Sequence, residues 1–313
     1  MIVLPTPDNL QKAALLLKNK GVVAFSTETV YGLGGLASSD MAVLKIYETK
    51  GRPTNNPLIV HVDSLSQAKK IGVFDVLTEK MVSIFWPGPL TVVVPLHPDA
   101  PLSSLATAGL KTVAIRFSNH PLLLSLLRLV GEPLVAPSAN PSGFLTSTSA
   151  DHVHKSFPSV FILNGGETQG GVESTIIQAE ESIVSILRAG AISREELENK
   201  AFMPTVFREQ PNKISSPGQT LHHYAPSLPL RMNAVEPTEG EAFLGFGKTF
   251  LSPTLNLSPS GSLEEAAHHL FSFLHILDNP VLYSGIAVSS IPNIGVGVAI
   301  NDRLTRASFS SFL

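Results

Sequence analysis

The segment STIIQAEESIVSILR, residues 174–188, carries two apolar, isoleucine-rich runs, 174–178 and 182–188, separated by a short polar break. Ile and Val suit the pleated, half-buried surface of a sheet. A break this short fits a hairpin, whereas a parallel pair needs a crossover of a dozen or more residues. The two runs are therefore predicted to pair antiparallel. Outward from them, apolar runs at 22–26, 58–62, 90–96, 112–116, 134–136 and 160–163 read as further strands. Helical patterns at 8–20, 41–49, 65–70, 76–85, 121–130, 149–155 and 193–200 alternate with them, Asp8 serving as the expected first N-cap. Ser193 with Glu196 has the capping-box spacing. Interleaved helices and strands with one hairpin predict an α/β protein built on a mixed sheet.

From 203 to 229 the texture changes. Pro204, Pro211, Pro217, Pro226 and Pro229 punctuate a polar stretch without periodicity, which predicts a linker or extended loop. Strands follow at 230–233, 241–246 and 285–289, with helices at 262–277 and 299–307. The expected organisation is a first unit at 1–203, a linker at 204–229 and a small α/β unit at 230–313. There is no internal repeat, and the one biased stretch is the Ser/Phe-rich last six residues.

The chain has 313 residues, 43% hydrophobic and 15% charged, with a net charge of −3. That composition supports a sizeable core and argues against a broad basic face for gripping nucleic acid. There is no cysteine, which excludes disulfides, thiol catalysis and cysteine-held zinc. The N-terminal segment lacks a signal-peptide pattern, and no apolar run approaches the roughly 20 residues that span a bilayer. A soluble, cytoplasmic protein is expected, with no membrane partner.

Polar motifs interrupt the apolar runs. In KGRPTNNPLIVHV (50–62), Lys50 and Arg52 flank a glycine on a turn fixed by Pro53. Two such cations can converge on phosphate oxygens, the Arg as a planar fork and the Lys as a point charge. A solvated surface turn explains the motif equally well. STETVYGLG (26–34) sets hydroxyls at a strand end before glycines, which would let backbone approach a ligand. It is neither a Walker A loop nor a Rossmann fingerprint. APSANPSG (136–143) places Ser138 and Asn140 just beyond a strand, and GVESTII (171–177) adds Ser174. Ser138 lacks the Gly-x-Ser-x-Gly elbow of a hydrolytic nucleophile. Arg116 and Arg188 close two more strands. Strand-end polar residues commonly meet in one crevice of an α/β protein, and here they suggest an anionic, nucleotide-like ligand. His61, His97, His120 and His152 stand singly, and His222-His223 are adjacent, so none has ligand spacing for a metal. Glu28 and Glu173 are acid/base candidates without a partner visible in the sequence, so positioning and electrostatics are expected to carry any chemistry.

Together these motifs resemble the YrdC-like family in its longer, two-domain form, the threonylcarbamoyl-AMP synthases. STETVYGLG, KGRPTNNPLIVHV, WPGPLTVVV, VAIRFSNHP, VAPSANPSG, GVESTII and ILRAGAIS stand in the family's order between about residues 6 and 200. SPGQTLHHYAP (216–226) and GVGVAINDRLTRA (295–307) resemble its second domain. The resemblance implies a YrdC-like twisted mixed sheet with a smaller Rossmann-like domain. It implies formation of L-threonylcarbamoyladenylate and pyrophosphate from L-threonine, bicarbonate and ATP, with Mg2+ on the triphosphate and no protein side chain assigned to metal. A separate tRNA threonylcarbamoyl transferase would consume the product.

By the same motif matching, Lys50, Arg52, Ser138 and Asn140 would be catalytic. Thr29, His61, Arg116, Ala136 and Ser174 would hold threonine. Arg52, Asn56, Thr112, Ser138, Thr146, Arg188 and Tyr224 would meet ATP, with Tyr224 reaching back from a linker that acts as a lid. Ser26 and Ser118 stand where the family usually has Pro, and Gln219-Thr220-Leu221 replace a more basic run. Two rivals share the fold. A double-stranded RNA or tRNA-binding module would need a basic excess that this chain lacks. A carbamoyl-phosphate-using maturation enzyme would add cysteine-rich zinc fingers, and there is no cysteine.

Overall fold

The computed structural model describes residues 1–180, 182–208, 223–248 and 252–309. Its larger sheet has eleven strands in the order β1 (Ile2–Val3), β8 (Phe161–Leu163), β2 (Val23–Phe25), β3 (Gly32–Leu36), β7 (Leu134–Val135), β4 (Ile59–His61), β6 (Thr112–Arg116), β5 (Leu90–Pro95), β9 (Thr175–Glu180), β10 (Ile183–Arg188) and β11 (Thr205–Phe207). Parallel pairs (β1–β8, β2–β8, β4–β6, β5–β9, β10–β11) and antiparallel pairs (β2–β3, β3–β7, β4–β7, β5–β6, β9–β10) are interspersed, so the sheet is mixed as expected. β9 and β10 form the predicted hairpin, with Ile177 opposite Ile186. A register shift between Ile186 and Arg188 sets Arg188 against Ile176. Such a bulge re-aims the side chain at the strand end.

Helices α1 (Pro7–Lys18), α2 (Asp40–Lys50), α3 (Leu65–Lys69), α4 (Val76–Phe85), α5 (Pro121–Val130), α6 (Ala150–Ser156) and α7 (Arg194–Ala201) cover this sheet. α1 and α5 bury Ala13, Leu17, Leu123, Leu126 and Leu127 with Phe25. α2, α4 and α7 bury Ile46, Met81, Phe85 and Leu197 with Val92 and Ile115. Side chains of Ser39, Ser64, Asp75, Ser149 and Ser193 each accept from the N–H three residues on, satisfying donors that a helix start leaves orphaned. The first helix departs from expectation. Thr6, not Asp8, caps it through Asn9 N–H, because Pro7 occupies the first turn where no N–H is needed.

A second sheet, parallel throughout, has the order β12 (Leu230–Arg231), β15 (Gly285–Val288), β13 (Glu241–Gly245) and β14 (Leu255–Asn256). It packs on α8 (Leu263–Leu277) and α9 (Gly297–Phe309). The core beneath α8 and α9 also takes in Leu145, Val172 and Tyr224, so the smaller sheet's helices are cemented onto the larger one's loops. Among the described residues no helix is long and apolar enough to cross a membrane.

Three expectations change. Residues 205–207, within the predicted linker, form β11 against β10. The short strands β1 and β14 lie where none was predicted. Gly32, Gly34 and Gly35 form β3 and make room for side chains instead of a ligand: a Cβ on Gly34 would stand 2.4 Å from the Phe25 ring, and one on Gly35 3.2 Å from Ile46. Residues 216–222 of the HHYAP motif, including Gln219, Thr220, Leu221 and His222, lie outside the described residues.

Candidate active site

α2 ends on Lys50, and Gly51 at φ +60° turns the chain so that Arg52 N–H bonds Tyr47 O at 2.9 Å. Only glycine takes that left-handed turn without a Cβ penalty. Both cations thus leave the negative end of one helix. Lys50 Nζ donates to Ser138 O at 2.5 Å and to Asn140 O. Arg52 donates to Asn56 Oδ1 (2.6 Å) and to the carbonyls of Asn56 (3.2 Å) and Pro57 (2.9 Å). Both are buried, and burial with the charge of Arg52 holds the Lys50 ammonium well below its ordinary range. The alternative of a solvated turn is thereby removed.

Of these residues, Arg52 and Ser138 line a cavity with about 500 Å³ of atom-free space, open solvent at its mouth included, and Lys50 is bonded to the carbonyl of Ser138. Strand ends supply its walls: His61 from β4, Arg116 from β6, Ala136 to Ser138 beyond β7, Glu173 and Ser174 before β9, and Arg188 from β10. Arg52, Pro57, Val30, His223 and Tyr224 complete it. A larger trough over Phe74, Val93, Ile183 and Val206 has, among the described residues, Asp75 and Glu180 as its charged walls. Convergent cations, not size, single out the first cavity.

At one end, Arg116 Nη2 lies 2.7 Å from Glu28 Oε1, yet that nitrogen and Nε make no well-aligned hydrogen bond within the chain. Burial pushes the Glu28 carboxyl up, but Arg116 and the Ser118 hydroxyl outweigh it and hold it below the usual range. His61 is buried with Nδ1 unpartnered, and burial together with Arg116 holds its imidazole down at about 3, neutral at physiological pH. Thr29 is buried beside Thr27 (3.0 Å), and Ser174 Oγ meets Thr91 Oγ1 at 2.7 Å. The Arg116 Nε, without a partner and close to hydroxyls, suits a small carboxylate ligand.

At the other end, Arg188 donates to Ser174 O (3.0 Å) and Oγ (3.2 Å). Asn140 Nδ2 donates to Pro141 O and Phe144 O, leaving Oδ1 without a partner. Thr146 Oγ1 reaches Glu173 Oε1 at 3.4 Å. Tyr224, at φ +66° and buried, packs on His223 and Phe271. Thr112 is not brought in. It sits at the opposite end of β6 from Arg116, opposite Pro95, four residues or about 13 Å away at the rise of a strand.

Sequence reasoning did not reveal the partners of the two carboxylates, Arg116 for Glu28 and Arg303 for Glu173 (3.0 Å), nor the place of His223 in the wall. Arg303 lies within GVGVAINDRLTRA, but nothing local ties it to residue 173.

Known proteins resemble the chain over nearly its whole length. Residues 15–190 match the Sua5/YciO/YrdC family, described as Telomere recombination, and residues 192–308 match the threonylcarbamoyl-AMP synthase C-terminal domain. The chain is 40% identical to the threonylcarbamoyl-AMP synthase of Bacillus subtilis strain 168, covering 96% of this chain and 93% of the relative. It is 35% identical to that of Pyrococcus abyssi, covering 95% and 93%. The crystal structure of P. abyssi Sua5 complexed with L-threonine superposes with a TM-score of 0.86 at 33% identity, covering 96% of this chain and 94% of that one. Motif order, two-sheet architecture and near-complete coverage lead to one assignment: the chain belongs to the Sua5/YciO/YrdC family, in the two-domain form of the threonylcarbamoyl-AMP synthases.

Proposed function

We infer that this chain makes L-threonylcarbamoyladenylate: L-threonine, bicarbonate and ATP go to the adenylate, pyrophosphate and water. The observation that carries the reading is the convergence of Arg52, Arg116 and Arg188 on one cavity, with Lys50 bonded to the carbonyl of the lining residue Ser138, in a chain of net charge −3. Threonine's carboxylate is assigned to Arg116, whose Nε has no partner within the chain, and its polar groups to Thr29, Ser174, Ala136 and neutral His61. Bonding of the threonine nitrogen to the bicarbonate carbon, with loss of water, gives a carbamate. Its oxygen then attacks the α-phosphorus, and the bond to the β-phosphate oxygen breaks to release pyrophosphate. Charge spreads over the phosphoryl oxygens in that step, so fixed cations are worth most there. Lys50, Arg52, Ser138 and Asn140 are assigned to it, with Arg188, Asn56, Thr146 and Tyr224 on the nucleotide. Of the expected ATP set, Asn56 and Thr146 are not in the cavity lining but bond the lining residues Arg52 and Glu173, and Thr112 stands apart.

Magnesium is expected on the triphosphate. Glu28 and Glu173 are each engaged by arginine, and among the described residues no cluster of three or more His, Asp or Glu stands ready for a cation. No side chain is assigned to the ion and no step is routed through it. Residues 1–203 are taken as the catalytic unit, with the sheet running on to Phe207, 204–229 as the connecting lid and 230–313 as its support. A cytoplasmic setting beside a tRNA threonylcarbamoyl transferase follows from the product's chemistry.

The test is product analysis with ATP, magnesium, labelled bicarbonate and L-threonine. Labelled adenylate and pyrophosphate, both dependent on threonine, are expected. Pyrophosphate release indifferent to threonine would overturn the reading.

A further inference from the structure

Glu173 is the one carboxylate among the described residues lining the cavity. A buried negative charge beside a site for a polyanion repels the ligand unless it is cancelled. The cancelling charge comes from the small unit. Arg303 on α9 is 1% exposed, and its Nε donates to Glu173 Oε2 at 3.0 Å across 130 residues of sequence. Its Nη1 donates to Asp302 Oδ2 (2.6 Å) and Nη2 to Ala189 O (2.9 Å), so each guanidinium nitrogen is committed. Asp302 also accepts from Arg306 Nε at 2.9 Å. Glu173 is thus paired with Arg303, and Arg52 and Arg188 on the cavity wall are left to face the ligand. The Arg303 guanidinium lies 5.1 Å from the centre of the Tyr224 ring, within cation–π range.

We propose that Arg303 is a positioning residue through which the small unit prepares the cavity for nucleotide, cancelling Glu173 and seating Tyr224. The inference rests on the nucleotide reading above. It explains why the small unit's core extends to Tyr224 and Val172, immediately before Glu173.

The test is a double-mutant cycle on the full chain, reading the affinity for a non-hydrolysable ATP analogue by direct titration. R303M should weaken binding about ten-fold or more, because it strands a buried carboxylate. In an E173Q background the same R303M change should alter affinity by less than about three-fold, because there is no charge left to cancel. R303K keeps the charge but cannot make all three guanidinium bonds, so its loss should be smaller than that of R303M and should likewise shrink in the E173Q background, which makes it the recourse if R303M fails to fold. Equal losses from R303M in both backgrounds, or equal losses from R303K in both, would overturn the proposal. Synthesis assays on the same proteins separate the two readings: an intact coupling in the titration with no threonine-dependent adenylate would sink the proposed activity but not the role of Arg303.

Discussion

Lys50 and Arg52 are close in sequence but do different work in the structure. Lys50 fixes the Ser138–Asn140 turn by holding two of its carbonyls, while Arg52 spends three bonds on its own 53–57 loop and still faces the cavity. On the proposed assignment, replacing either by Ala takes away a group that acts on the phosphoryl-transfer step, and a loss of about 100-fold or more in kcat is expected. The sheet does not depend on either side chain, so far-ultraviolet circular dichroism and cooperative melting should survive. Wild-type turnover in either variant would remove that residue from the chemistry. Arg116 calls for a separate test, because the proposed threonine carboxylate is assigned to it and its Nε has no partner within the chain. Arg116→Lys keeps the charge but loses the planar fork. The KM for threonine should rise about ten-fold or more while that for ATP stays nearly constant, as steady-state kinetics with each substrate varied would show.

The elements divide into those legible in the chain and those that pairing creates. The hairpin 175–188 and the cap at Ser193 were legible because the determining residues are neighbours. β1 and β14 were not, because two residues have no periodicity and become strands only when Ile2 meets Ile162 or Leu255 meets Leu244. The glycines of β3 read as a ligand loop because the Phe25 ring that needs their space lies on another strand. Gly171 shows the same effect between the two units. It sits at φ +66°, and a Cβ there would stand 2.0 Å from Ala267 O on α8. Backbone cannot yield as a flexible side chain can, so Gly171→Ala must push α8 away from the loop that carries Glu173. A destabilisation of about 1–3 kcal/mol is expected in chemical denaturation, with weaker nucleotide binding as Arg303 retreats with its unit. Unchanged stability and affinity would show that the seam is soft.

At the scale of the whole molecule, the site is legible in its parts and not in its closure. Lys50, Arg52, Ser138 and Ser174 announce themselves as polar breaks in apolar runs, but the pairing of residue 173 with residue 303 exists only after both sheets have formed. The same folding buries three imidazoles in neutral form, and this makes the whole chain sensitive to acid. Burial holds His61, His152 and His223 each down at about 3, against an unfolded value near 6.5. His152 also stacks 3.9 Å from His275 of α8, and His275 and Lys155 oppose its charging. As pH falls below about 6.5, the unfolded chain takes up protons that the native chain refuses, so stability must fall. Glu173, its carboxyl held at about 2 chiefly by Arg303 against the upward push of burial, has the opposite ordinary charge but adds to the loss only below about 4.5. Between pH 7 and 5.5 the histidines therefore dominate, each costing on the order of 1 kcal/mol at the acid end. Urea denaturation at the two pH values should show the midpoint dropping at 5.5. His152→Phe keeps the stacking face and removes one titrating ring, so its drop should be smaller by about one histidine's share. A midpoint indifferent to pH, or a His152→Phe variant with an undiminished drop, would mean that these rings are not held neutral by the fold.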